Sequence, residues 1–372
     1  MISKLDEYLK KIDSFYLFYS VLCVIMAFGF SFVPIFLKQK GFALHLIILL
    51  YALYTLVASI TILFVNSFST RRYLVYGVIL QAIMMLAFAF YGKYSYLIYV
   101  LLAGLYQIFF WVTINYLFFK GTTANNNATN SSFYQLIPGI IGVVVPPISL
   151  LVLNFYGYSW LYIISSILFT LSIFMFYNKI PDEKIDVPSY DGIKKFDGLK
   201  AITLIEGAFQ YFGPIVLTVY SLNFLKTETE YGLFLSFLGL IGLVISVIIA
   251  KKSDESHKRK GYLYILFTLL ILSVISLIFL KSQLYLLIFA GVFTGLAYLS
   301  FPIRLAISMD AKTMELSFWK TREFFLNVGR VPTLLLTSVL VFYDMFWAVF
   351  LFYAMLLVVY MILLRIKLEN VN

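Results

Sequence analysis

Residues 319–343, WKTREFFLNVGRVPTLLLTSVLVFY, are apolar enough to lie in a bilayer yet carry Arg322, Glu323, Asn327 and Arg330. At 100° per residue, Glu323, Asn327 and Arg330 fall within about 60° of one another on one helix face. Arg330 is the twelfth of these 25 residues, so it sits near the middle of the stretch, where a charge costs roughly 2.5–3.5 kcal/mol to insert. It cannot face lipid. A guanidinium so placed can hold an anionic or hydrogen-bonding group with the help of Asn327, and a carboxyl beside it can take up and release a proton. The same residues also fit a permanent ion-pair network that only holds helices together.

Other apolar stretches supply possible partners. Glu206 in AITLIEGAFQYFGP and Arg304 at the end of its stretch lie at a depth similar to Glu323, so an inner cluster of Glu206, Arg304 and Glu323 is expected, with Gln210 one turn beyond Glu206 extending its polar face. Arg322 lies off the stripe and is expected to snorkel to the interface. The first half offers no buried charge. Its polar stripe is Gln107, Trp111 and Asn115 at i, i+4 and i+8, suited either to a ligand or to bonds between helices.

These residues must be positioned by membrane helices. The chain is 62% apolar and only 12% charged, against about 25% charged in soluble domains. It is expected to be an integral membrane protein. With one cysteine, Cys23, and two histidines that topology keeps apart, no disulfide or metal site is expected. No phosphate-cradling glycine loop or other nucleotide motif is present, so no cofactor is expected. The net charge of +10 lies between the apolar runs, which assigns it to topology and lipid headgroups and not to nucleic acid.

Runs of about 19–25 apolar residues match a ~30 Å hydrocarbon core at 1.5 Å per residue. Twelve are read: 14–37, 43–66, 73–91, 95–119, 132–153, 158–178, 201–225, 231–250, 262–280, 284–304, 319–343 and 346–364. Adding 187 to each of the first six reproduces the last six within a few residues, the spacing of a repeat-built protein. The expected division is 1–13, a terminal segment that is either a surface helix or a frayed basic tail; 14–178, a six-helix bundle; 179–200, a polar linker; 201–364, a second six-helix bundle; and 365–372, a tail. The first run is too long for a cleavable signal. With the N-terminus inside, 22 of the 28 Lys and Arg lie on the inner side and five on the outer, so both termini are expected in the cytoplasm of a cell-membrane protein. TTANNNATNSS, residues 122–132, holds sequons at Asn127 and Asn130; on this topology it is an inner, unglycosylated, flexible connector. Seven prolines fall inside runs, where kinks are tolerated.

The six-plus-six pattern, the long middle loop and basic loops after the second and eighth runs resemble the major facilitator superfamily. In LFVNSFSTRR, Leu63, Ser67 and Thr70 replace the glycine, aspartate and glycine of that family's loop signature, and Arg71 and Arg72 remain. AKKSDESHKR keeps Asp254, Lys258 and Arg259, with Ala250 and His257 at the glycines. The resemblance implies that these loops latch the bundles, mainly through Asp254 and the basic pair. The fifth run keeps Gly139, Gly142 and Pro146 of an antiporter motif but has Val145 for its last glycine, which leaves drug–proton exchange without support.

The resulting expectation is an all-α, polytopic, monomeric secondary transporter of this type, not an enzyme. It would move a small, anionic solute by alternating access, with Arg330, Asn327, Gln107, Trp111, Asn115 and Gln210 binding the solute. Glu206, Glu323 and Arg304 would serve proton coupling or ion pairing. A non-transporting receptor on the same scaffold and a membrane enzyme acting on lipid-linked substrates are the rivals; the short outer loops speak against the enzyme.

Overall fold

The structure, a computed structural model, describes residues 14–120, 122–187, 192–194, 196–256, 258–279, 282–312 and 314–367. The terminal segment 1–13 and His257 lie outside them.

Ten helical runs among the described residues are long and apolar enough to cross a bilayer. One of these, Asn127–Lys179, has 53 residues and would be about 80 Å long if straight, more than twice a hydrocarbon core. It is two spans. The break is Gly157, at φ 78°, a backbone conformation that side chains other than glycine's resist. With Glu228–Ser256, whose middle is apolar, the described residues hold twelve helices of spanning length. In order, the spans are Phe15–Gln39, Leu44–Phe64, Thr70–Ala89, Ser95–Phe119, 127–156, 158–176, Lys200–Ser221, Glu228–Ser256, Arg259–Phe279, Gln283–Asp310, Leu316–Phe342 and Phe346–Ile366.

Several spans run further than their apolar cores. The fifth starts at Asn127 and the tenth ends at Asp310, so the expected flexible connector over 122–132 is corrected: its second half is helix. The fold is all-α as expected, with one small addition outside the spans. Ser67–Ser69 (β1) pairs antiparallel with Lys184–Asp186 (β2), Phe68 opposite Ile185, so part of the middle loop docks against the turn after the second span.

Two spans widen into π-helix, at Gln107–Val112 in the fourth and Phe212–Leu217 in the seventh. Pro214 has no N–H to give, which accounts for the second. Close backbone approach fixes the seventh span against the eleventh: a Cβ at Gly207 would collide with the Leu326 backbone, and one at Gly329 with the Leu204 carbonyl. Between the halves, the second span packs on the eleventh and the fifth on the eighth. A Cβ at Gly239 would meet the Gly142 backbone at 3.0 Å, so small residues set the fifth–eighth crossing.

Candidate functional site

The Gly207–Gly329 crossing brings the acids and bases of the seventh, tenth and eleventh spans together. Glu206 is fully buried. Its Oε1 accepts from Arg304 Nη1 at 3.1 Å, and Arg322 Nη2 donates to both carboxylate oxygens at 3.0 Å. Arg322 is thus no snorkelling interface residue: it lies 3% exposed, and a buried carboxylate of the neighbouring helix holds it there. The expected three-member cluster is corrected as well, because Glu323 belongs to a different pair.

Arg330 Nη1 donates to Glu323 Oε2 at 3.2 Å and to Asn327 Oδ1 at 2.7 Å, and its Nη2 donates to Gln210 Oε1 at 2.6 Å. Its guanidinium also lies 4.4 Å from the Tyr211 ring centre. From the first half, Gln107 Nε2 donates to Asn327 Oδ1 at 2.9 Å and to the Tyr211 hydroxyl at 3.3 Å. The Glu323–Asn327–Arg330 stripe therefore exists, but it is closed over by polar partners from both halves.

A cavity of about 470 Å³ lies beside this network, bounded by the first and fifth spans on one side and the seventh, eighth and tenth on the other. Gln210 and Arg304 line it; Arg330, Asn327, Trp111 and Asn115 do not. Arg330, expected to bind the solute, does not reach this cavity. Arg330 grips the cavity-lining Gln210, and the guanidinium on the wall is Arg304. Asn115, two turns beyond Gln107, accepts from the Tyr134 hydroxyl at 2.7 Å within its own half, and Trp111 packs edge-on against Phe110. The Glu206 cluster holds two guanidiniums and one carboxylate, one positive charge in excess, and the separate Glu323–Arg330 pair is balanced. Arg304 Nε and Gln135 Oε1 are buried without a hydrogen-bond partner, and both residues line the cavity.

Contacts between the halves lie on both sides of the cavity. On the face that carries the 179–200 segment, Asp254 of the eighth span accepts from the backbone of Ala128 (3.2 Å) and Thr129 (2.7 Å) and from Thr129 Oγ1 (2.6 Å). It thereby serves as a cap, supplied by the other half, for the first turn of the fifth span and its dipole. Arg259 bridges Asp254 (2.7 Å) to Asp310 (2.5 Å), and Asn127 donates to Asp310 at 2.7 Å. Lys258 is exposed. Arg71 binds the Ile180 carbonyl at 2.9 Å and faces Asp182, and Arg72 is exposed. Of the residues expected to latch the halves, Asp254 makes contacts across them, Arg259 ties Asp254 to Asp310 within the second half, and Arg71 serves the docked middle loop.

Lys320 was read only as inner-side charge. It lies 3% exposed, and its Nζ donates to the Val65 carbonyl at 2.5 Å and the Val187 carbonyl at 2.9 Å. A lysine followed by two further charges at a helix start was the one available signal. Phe119 stacks on Trp319 at 5.2 Å beside it. On the opposite face, Lys38 donates to the Leu222 carbonyl, Gln39 to Glu228 at 2.5 Å, and Ser338 to the His45 carbonyl at 2.8 Å.

The sequence model described as Major Facilitator Superfamily matches residues 16–311. No curated protein sequence matches the chain. Among solved structures, the chain is similar to the human organic anion transporter MFSD10 (TETRAN), at 12% identity and a TM-score of 0.67 over 93% of this chain and 97% of that one. It is likewise similar to a POT family transporter in complex with 5-aminolevulinic acid, at 12% identity and a TM-score of 0.68 over 96% of each chain.

Proposed function

We propose that this chain, which belongs to the major facilitator superfamily, is a secondary transporter that carries a small solute through the cavity between its halves by alternating access. The observation that carries the reading is the cavity itself. It draws its walls from both halves, it lies between two sets of inter-half contacts, and it has an arginine on its wall. A non-transporting scaffold would have no need to keep such a space open between moving parts. Its volume falls within the about 300–1,000 Å³ of small-molecule sites.

The cycle follows from which contacts break. Opening toward the 179–200 face requires release of Asp254 from the fifth span and of Lys320 from Val65 and Val187. Opening toward the other face requires release of Lys38, Gln39 and Ser338. A proton is the coupling ion in this reading, carried by Glu323. Glu323 has one guanidinium partner where Glu206 has two, so its neutralisation disturbs fewer buried contacts. The division into bundles at 14–178 and 201–364, joined by 179–200, completes the proposal, with both termini in the cytoplasm.

A flux screen in proteoliposomes tests it, with Gly142→Leu as the decisive variant. A Cβ at Gly142 meets nothing within 4 Å, so a leucine there extends into the cavity while leaving the ion pairs intact. Loss of solute flux at an unchanged melting temperature is expected; full flux through that variant contradicts the site. In the same assay Glu323→Gln is expected to abolish the response to a pH gradient, and a preserved response removes Glu323 from the coupling role.

A further inference from the structure

From the arrangement of charge and apolar wall around the cavity, we infer that the solute is an amphipathic monoanion: one carboxylate or similar singly charged head on an apolar, ring-sized body. This rests on the transport reading above and names its substrate class.

The head is specified by Arg304. Of the two arginines on Glu206, Arg322 spans both carboxylate oxygens through one nitrogen, while Arg304 reaches one oxygen only. Arg304 is 5% exposed, its Nε has no partner, and it lines the cavity. A buried guanidinium N–H without an acceptor is costly, and a carboxylate entering from the cavity would satisfy it with a charge-assisted bond. The number of charges follows from the surplus in the Glu206 cluster, two guanidiniums against one carboxylate. A dianion would overcompensate it in a low-dielectric wall, and a cation would add to it.

The body is specified by the rest of the lining. The Arg304 guanidinium centre lies 5.1 Å from the Phe209 ring and 5.7 Å from the Phe301 ring, and both rings line the cavity. Phe30, Phe293 and Leu238 continue the apolar wall. Ser31, Thr218, Thr294 and Tyr298 interrupt this wall singly, so a sugar or other hydroxyl-rich solute would find fewer hydrogen-bond partners there than it loses in water. Gln135 Oε1, from the first half, adds one unpaired acceptor, so a hydrogen-bond donor elsewhere on the solute would be held only when the halves are together.

The test uses four probes on the purified full chain: 2-naphthoate, 2,6-naphthalenedicarboxylate, 2-naphthylmethylammonium and citrate. Binding is read by thermal shift and equilibrium dialysis in wild type, Arg304→Gln and Gly142→Leu. Expected is saturable binding of 2-naphthoate, at least tenfold weaker in Arg304→Gln and absent in Gly142→Leu, with at least tenfold weaker binding of the other three probes. Equal binding of the ammonium or of citrate overturns the assignment, as does 2-naphthoate binding indifferent to either substitution. Should Arg304→Gln fail to fold, Gly142→Leu and the probe comparison still decide. If a hydroxyl-rich or cationic solute crosses the membrane and Gly142→Leu blocks it, the substrate class falls while the transport site stands. If Gly142→Leu blocks nothing, the site itself falls.

Discussion

Glu206 accepts hydrogen bonds from Arg304 and Arg322 with none of its surface exposed, so removing its charge strands two cations at once. Breaking a buried pair from one side costs about 3–5 kcal/mol. Glu206→Gln is therefore expected to lower unfolding free energy by about that amount, measured by denaturant titration in detergent; a loss below about 1 kcal/mol would show that the network is not a structural anchor. The stripe of Glu323, Asn327 and Arg330 was legible in the sequence because all three lie on one helix and spacing alone puts them together. Arg322 was not legible, since a single-helix projection turns it away from that stripe and says nothing of the acid that the Gly207–Gly329 crossing brings to it. For the same reason Arg304 was read as an ion-pair partner and Arg330 as the solute contact. Which guanidinium reaches the cavity depends on packing between helices.

The docked middle loop is held by more than its strand pairing. Tyr116 and Lys120 of the fourth-span end bond Glu183 at 2.8 and 2.5 Å, and the Thr70 hydroxyl donates to the Pro181 carbonyl and accepts from Glu183 N. The Lys120 hydrogen bond, foremost, lowers the Glu183 carboxyl's affinity for a proton below its ordinary 4.5. A lowered folded-state value means that this anchor contributes above the ordinary value and is lost as pH falls through the lower one. Hydrogen exchange at 184–186, taken relative to the intrinsic rate at each pH, is expected to be slow at neutral pH and to quicken selectively below the ordinary glutamate range. In Glu183→Gln it should already be fast at neutral pH, and slow exchange there would remove the anchor. The spans themselves were legible because twenty apolar residues in a row have few other uses. Three-residue strands more than a hundred positions apart have no periodicity to find. The ends of the fifth and tenth spans on the 179–200 face were cut short because Asn127 and Asp310 are polar, a reading that fails where another half supplies their partners.

Across the whole molecule, contacts between the halves lie on both sides of the cavity, an arrangement that the proposed alternating access would place midway through its cycle. The closure on the 179–200 face combines a carboxylate capping a helix end with a lysine holding two carbonyls, and both reach from the second half to the first. Each closure is a few hydrogen bonds worth about 0.5–3 kcal/mol apiece, so loss of one is enough to shift the balance between states. Pulsed electron paramagnetic resonance on spin-label pairs tests this most directly. One pair, at Arg72 and Lys258, spans the 179–200 face; the other, at Tyr94 and Tyr343, spans the opposite face. All four positions are exposed, and the single native cysteine is buried. The account predicts that Lys320→Met lengthens the first distance and leaves the second short, whereas Gln39→Ala together with Ser338→Ala does the reverse. Distances that are single-valued and unmoved by either change would contradict alternating access through this cavity.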